Sequence, residues 1–96
     1  MAEALGELLA ICRKSKSFGR LLYDLLIERD VSQKELSYKI NRSKSDVSRL
    51  VNDDIPDAFE IHDVEQIAKS LECGDLQLAI LIRSFACHVL RSRGLW

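Results

Sequence analysis

Glycine and proline are scarce in this chain. Its 96 residues include four scattered glycines and one proline, Pro56. Scattered glycines provide no glycine-rich loop to cradle a phosphate, so nucleotide-hydrolysing enzymes lose their usual signature. No nucleophile sits beside a matched base, and His62-Asp63 is a lone dipeptide, so no enzyme activity is expected. No apolar run approaches the roughly 20 residues needed to span a membrane. The start, Met-Ala-Glu-Ala-Leu-Gly-Glu, lacks the positive opening of a secretory signal, which points to the cytoplasm and away from membranes. Three cysteines, Cys12, Cys73 and Cys87, are an odd number without paired spacing, which argues for buried or half-buried thiols over a disulfide framework. His62 and His88 do not stand at zinc-ligand spacing from any cysteine pair. Neither a metal nor another cofactor is expected.

A length of 96 residues allows one small domain. With 47% hydrophobic and 30% charged residues, the composition is that of a globular one. No alternating run is long enough for a strand, and nearly every segment carries helical spacing. Leu5, Leu8, Leu9 and Cys12 predict a helix near 2–13, followed by a connector from Lys14 to Ser17. Phe18, Leu21, Leu22, Leu25 and Leu26 predict a second, ending near Arg29. Residues 52–60 read as a loop around Pro56, and Ile61, Val64, Ile67, Ala68 and Leu71 predict a helix closed by Gly74. The last helix, about 75–92, carries more apolar residues than one stripe can hold. Such a helix is either central to a core or shared between subunits.

Residues 32–52 are the most informative stretch. Ser32 reads as an N-cap, and Glu35 completes a capping box. Leu36 and Ile40 form the buried side of that short helix. Asn41 suits a left-handed turn. Ser43 repeats the N-cap signal with Asp46 at the third helical position, and Val47, Leu50 and Val51 face inward. Two helices joined this tightly, the second with a small, polar, partly basic outer face, match the geometry that enters a DNA major groove.

Phe18 to about Leu71 resembles the Cro/phage-repressor-like helix-turn-helix domains, the Xre family. The family run Ser-Gln-x-x-Leu-Ala, turn, Ser-x-x-x-(Ile/Val)-Ser-x-(Leu/Trp) stands here as Ser32-Gln33-Lys34-Glu35-Leu36-Ser37 and Ser43-Lys44-Ser45-Asp46-Val47-Ser48-Arg49-Leu50. Ile67-Ala68-Lys69-Ser70-Leu71 is similar to the family's later Ile-Ala-Lys-Ala-Leu. Three positions depart from the pattern. Asn41 replaces the usual glycine, Arg42 the usual valine, and Val51-Asn52-Asp53-Asp54 a segment that is normally basic.

The resemblance implies an all-α, lambda-repressor-like bundle of about six helices. A core of 18–72 would carry an N-terminal extension helix in 1–17 and a C-terminal dimerisation helix in 75–96. It places Lys44, Ser45, Ser48 and Arg49 against base edges, and Ser32, Gln33, Arg42, Ser43 and Asn52 near phosphates. The surplus apolar face Leu78, Leu81, Ile82, Phe85 and Val89, with Leu5, Leu8, Leu9, Leu95 and Trp96, is the expected dimer interface. The function implied is a sequence-specific transcriptional regulator, a dimeric repressor of phage, plasmid or mobile-element type or an autoregulating antitoxin. It would act on double-stranded DNA at a palindromic operator and could answer to a regulatory protein partner. The charge pattern supports a different class as well. Net charge is −1, with basic clusters at Arg13, Lys14, Lys16, Arg20 and at Arg42, Lys44, Arg49. Between 53 and 65 stand Asp53, Asp54, Asp57, Glu60, Asp63 and Glu65 without a lysine or arginine. An acidic run of this kind repels DNA or attracts a basic partner, as a helix-turn-helix adaptor or antirepressor would require.

Overall fold

In the computed structural model, which describes residues 2–94, six α-helices follow one another: α1 (Ala2–Lys14), α2 (Phe18–Glu28), α3 (Gln33–Lys39), α4 (Lys44–Val51), α5 (Ile61–Ser70) and α6 (Asp75–Ser92). The described residues include no strand. Leu95 and Trp96, and the side chains of Leu5, Leu8 and Leu9, lie outside the described residues. No helix is long and apolar enough to cross a membrane, among the described residues.

The helix starts follow the serines. Ser17, Ser32 and Ser43 each accept a hydrogen bond from the backbone N–H three residues on, at Arg20, Glu35 and Asp46. Glu35 returns the bond to the Ser32 N–H, closing the expected capping box. Each such cap contributes about 1 kcal/mol.

The helix ends are less conventional. Five helices close with a residue in the left-handed region; α6 uses Gly94 (φ 75°), but the other four use no glycine: Asp30 (φ 54°), Asn41 (φ 56°), Asp53 (φ 61°) and Glu72 (φ 56°). In each of these four the N–H of the following residue reaches back across the last turn, Val31 to Leu26 O, Arg42 to Ser37 O, Asp54 to Arg49 O and Cys73 to Ala68 O, all at 2.9 Å. The left-handed residue itself bonds the carbonyl three back, as Asp53 does to Leu50 O at 3.1 Å. This is the paired bonding of the Schellman motif. Helix α5 is therefore closed by Glu72 and not by Gly74. Gly74, at φ −76°, is instead the N-cap of α6.

The core draws on every helix from α2 to α6. Phe18, Leu22, Leu25 and Leu26 meet Leu36, Ile40, Val47 and Leu50 on one side and Val64, Ile67, Ala68, Leu71, Leu81 and Phe85 on the other. All three phenylalanines meet there. Ring centroids lie 5.9 Å apart for Phe18–Phe59, 6.0 Å for Phe18–Phe85 and 5.6 Å for Phe59–Phe85, in tilted or edge-on arrangements that suit the ring quadrupoles. Phe59 anchors the 52–60 loop to this cluster, so the loop is packed as well as turned. Ser37 and Ser84 are buried polar residues satisfied within their own helices, by Lys34 O and Leu81 O.

Two expectations are corrected. Cys12 and Cys87 are joined as a disulfide, with Cα atoms 5.4 Å apart and a sequence separation of 75. Helix α1 packs on α6, and the pairing arises from that long-range contact, which no spacing rule encodes. Only Cys73 is a free thiol, half-buried, and burial pushes its pKa up. The second correction concerns α6. Leu81 and Phe85, expected at a dimer interface, belong to the core of the single chain, and Leu78, Ile82 and Val89 pack partly against that core. Helix α6 packs on both α5 and α2, which accounts for most of its second apolar side. The large apolar residue that this helix exposes is Leu76, 75% exposed.

Glu72 is the least suited of the four non-glycine left-handed residues. An L-residue there costs roughly 1–2 kcal/mol and glycine's extra chain entropy roughly 0.5–1 kcal/mol. Glu72→Gly should therefore stabilise the protein by about 0.5–1 kcal/mol, read as a higher urea midpoint with unchanged slope. A lower midpoint would contradict the account of the helix ends.

Candidate nucleic-acid interface

Helices α3 and α4 meet through the Asn41 turn, and α4 lies over α2. Its inward side is fixed by Val47 and Leu50, essentially inaccessible to solvent. At 100° per residue this turns Lys44, Ser45, Ser48 and Arg49 to the opposite side. Lys44, Ser45 and Arg49 are exposed and Ser48 half-buried. The four expected base readers therefore share one outward face. Lys44 makes no ion pair with a described residue.

The far end of α4 is seated on Gly19. A Cβ there would stand 2.5 Å from Val51 O, 2.8 Å from Leu50 O and 2.9 Å from the Asp53 carboxylate carbon. The Gly19 N–H donates to Asp53 Oδ1 at 2.8 Å. Gly19 is the second residue of α2, so a carboxylate also meets the positive end of that helix. Asp53 thus closes α4 with its backbone and caps α2 with its side chain.

The remaining acids nearby are similarly engaged. Asp54 Oδ2 accepts from Arg49 Nε at 2.8 Å. The hydrogen bond from Arg49, and then its charge, hold the Asp54 carboxyl below the usual carboxylate range, while the same contact raises the Arg49 guanidinium. Asp63 accepts from Arg42 Nη2 at 3.1 Å and from the Glu60 N–H at 2.8 Å. The Arg42 guanidinium also lies 5.4 Å from the Phe59 ring centroid. Arg42 was expected to approach phosphates. It is instead half-buried and turned to α5, because an acid and an aromatic face compete for it more closely than solvent does.

The other expected phosphate residues divide. Ser32 and Ser43 are exposed caps whose hydroxyl oxygens already accept an N–H. Gln33, the first residue of α3, is half-buried. Asn52 donates its side-chain amide to Ser48 O at 2.8 Å, finishing its own helix. Sequence reasoning missed Gly19, Asp53, Asp54, Phe59 and Asp63 as parts of this arrangement. Only the uncommon glycine at a helix start gave any signal.

A nearby basic group is also less free than its charge suggests. Lys16 and Arg20 both pair with Asp24, at 2.9 and 3.2 Å, and Arg20 lies 5.7 Å from the Tyr23 ring centroid. Among the described residues, no cluster of histidine, cysteine and carboxylates could hold a metal ion.

Gly19→Ala should cost at least about 1–3 kcal/mol, since the new methyl meets two backbone carbonyls that cannot rotate away. Gly6→Ala, in open space on α1, should be neutral or slightly stabilising by helix propensity. Thermal melts of the two variants check this. Equal melting temperatures would contradict the seating of α4 on Gly19.

The residues that build this outward face lie in a segment that matches a known family. The model for the Cro/C1-type helix-turn-helix DNA-binding domain matches residues 22–82, from within α2 to within α6. Neither a curated protein nor a solved structure matches the chain. With well over half its length inside that match, the chain belongs to the Cro/C1-type helix-turn-helix DNA-binding family.

Proposed function

We propose that this DNA-binding regulator reads a palindromic operator in double-stranded DNA as a homodimer, and that it is a cytoplasmic repressor of phage, plasmid or mobile-element type. The single observation that carries the reading is the division of α4. One side is sealed into the core by Val47 and Leu50, and the other presents Lys44, Ser45, Ser48 and Arg49 to solvent. A helix inserted in the major groove meets base edges with its N-terminal residues. Lys44 and Arg49 donate to guanine O6 and N7, and the serines donate to or accept from several bases. Gln33, Ser32 and Ser43 supply phosphate contacts that fix register. The core of this unit is residues 18–72, with 1–17 and 75–96 as additions. An autoregulating antitoxin, controlled by a protein partner, fits the same face.

A lone half-site contact is weak and strongly salt-dependent. A two-fold pair would place two recognition helices about 34 Å apart, one turn of duplex. The half-buried Leu78, Ile82 and Val89, with the exposed Leu76, supply apolar surface for such a pair. Sedimentation should give a dimer at tens of micromolar, and a monomer there would remove the dimer from the proposal.

A second reading has one observation in its favour. Asp57, Glu60 and Glu65 remain exposed beside the packed loop and the start of α5. A basic protein partner would recognise them, as for an adaptor or antirepressor. Two variants decide between the readings. Lys44→Ala should weaken binding to a selected duplex roughly tenfold or more, consistent with about 1–3 kcal/mol for a base contact. A Glu60→Gln/Glu65→Gln double variant should leave DNA binding intact or slightly tighter. Fluorescence anisotropy on duplex DNA checks both. No binding even at low salt, together with capture of a basic protein lost in the double variant, would overturn the DNA reading.

A further inference from the structure

The turn that ends α4 places a carboxylate against one of the expected base readers. Asn52 caps the helix, Asp53 takes the left-handed conformation, and the Asp54 N–H returns to Arg49 O at 2.9 Å. Asp54 is thereby fixed one full turn beyond Arg49 by backbone geometry. Its carboxylate then takes the Arg49 Nε–H at 2.8 Å. One residue is held to Arg49 at two points, through main chain and side chain.

We propose that Asp54 is a specificity-determining positioning residue: it holds the Arg49 guanidinium so that only its terminal Nη1 and Nη2 edge is offered to a guanine. This rests on the reading of Arg49 as a base-contacting residue. An arginine has five N–H donors in a planar fork and can present either its end or its Nε side to an acceptor pair. With Nε occupied, the side-on presentation is removed, and the end-on fork remains to meet guanine O6 and N7. A long, exposed side chain would otherwise sample many rotamers before contact, and restricting it beforehand lowers the entropy lost on binding. The same carboxylate carries a negative charge toward the duplex, which lowers affinity for every sequence equally. Asp54 thus trades general affinity for discrimination at one base pair. The pair is open to solvent, with 54% of the Arg49 and 63% of the Asp54 side chain exposed, so it adds little to folding and its contribution falls on recognition.

Two substitutions separate position from charge. Asp54→Asn keeps an oxygen that can accept from Nε but removes the charge. Asp54→Ala removes both. Binding-site selection from a random duplex pool, with Arg49→Ala as reference, defines the base pair that depends on Arg49. Both Asp54 variants should melt with the wild type and bind non-specific duplex several-fold more tightly. At the Arg49-dependent base pair, Asp54→Asn should keep most of the guanine preference. Asp54→Ala should lose about tenfold of it, approaching Arg49→Ala, while preferences at other positions stay as they were. Wild-type preference at that base pair in Asp54→Ala would overturn the positioning role while leaving Arg49 as a reader. An unchanged selection with Arg49→Ala would instead overturn the reading of Arg49 itself, and the inference with it.

Discussion

The contact between Gly19 and the end of α4 governs the rest of this molecule. Two backbone carbonyls and a carboxylate occupy the space where any larger residue would put its Cβ. The close approach lets α4 lie against α2 with Val47 and Leu50 sealed beneath it. It also supplies the N–H that Asp53 needs once the chain has turned left-handed. Sealing one side of a short helix this fully determines which residues are left on the other. The outward face of Lys44, Ser45, Ser48 and Arg49 is thus a consequence of the packing beneath it.

The acid-rich segment after α4 takes a different meaning from its sequence. An acidic run beside a DNA-binding helix suggests repulsion. In the fold, Asp53 caps α2, Asp54 holds Arg49, and Asp63 neutralises Arg42 and accepts the Glu60 N–H. These carboxylates have specific donors and act mainly over short distances. The same ion pairs reduce the positive charge expected from the basic clusters. Arg42 is drawn to α5, and Lys16 and Arg20 share Asp24. Lys44 is the group most plainly left to meet a phosphate or base.

Much of the fold was legible in the sequence because its signals are local. The Ser32 and Ser43 caps, the Glu35 capping box, the Asn41 turn and the periodic apolar residues of α2 and α5 each follow from a few neighbouring residues. Other features depend on distance or on unusual backbone. Asp30, Asp53 and Glu72 occupy positions that favour glycine, and their side chains gave no sign of it. The Cys12–Cys87 bond joins residues 75 apart in sequence through the packing of α1 on α6. The two-sided apolarity of α6 was right as a pattern, but Leu81 and Phe85 were misplaced at an interface, because only the three-dimensional packing shows them in the chain's own core. In the candidate site, the outward residues of α4 followed from the family motif, and helical period gave the inward Val47 and Leu50. The Arg49–Asp54 contact did not, since it needs the chain to reverse at Asp53 first.

The central claim is that the outward face of α4, with the start of α3, is the surface that meets DNA. Amide chemical-shift mapping during titration with a selected duplex tests it most directly. The account predicts the largest changes at Ser32–Gln33 and Ser43–Arg49, with the buried turns of α5 and α6 little affected. Changes centred on the exposed acids Asp57, Glu60 and Glu65, with α4 unmoved, would contradict it.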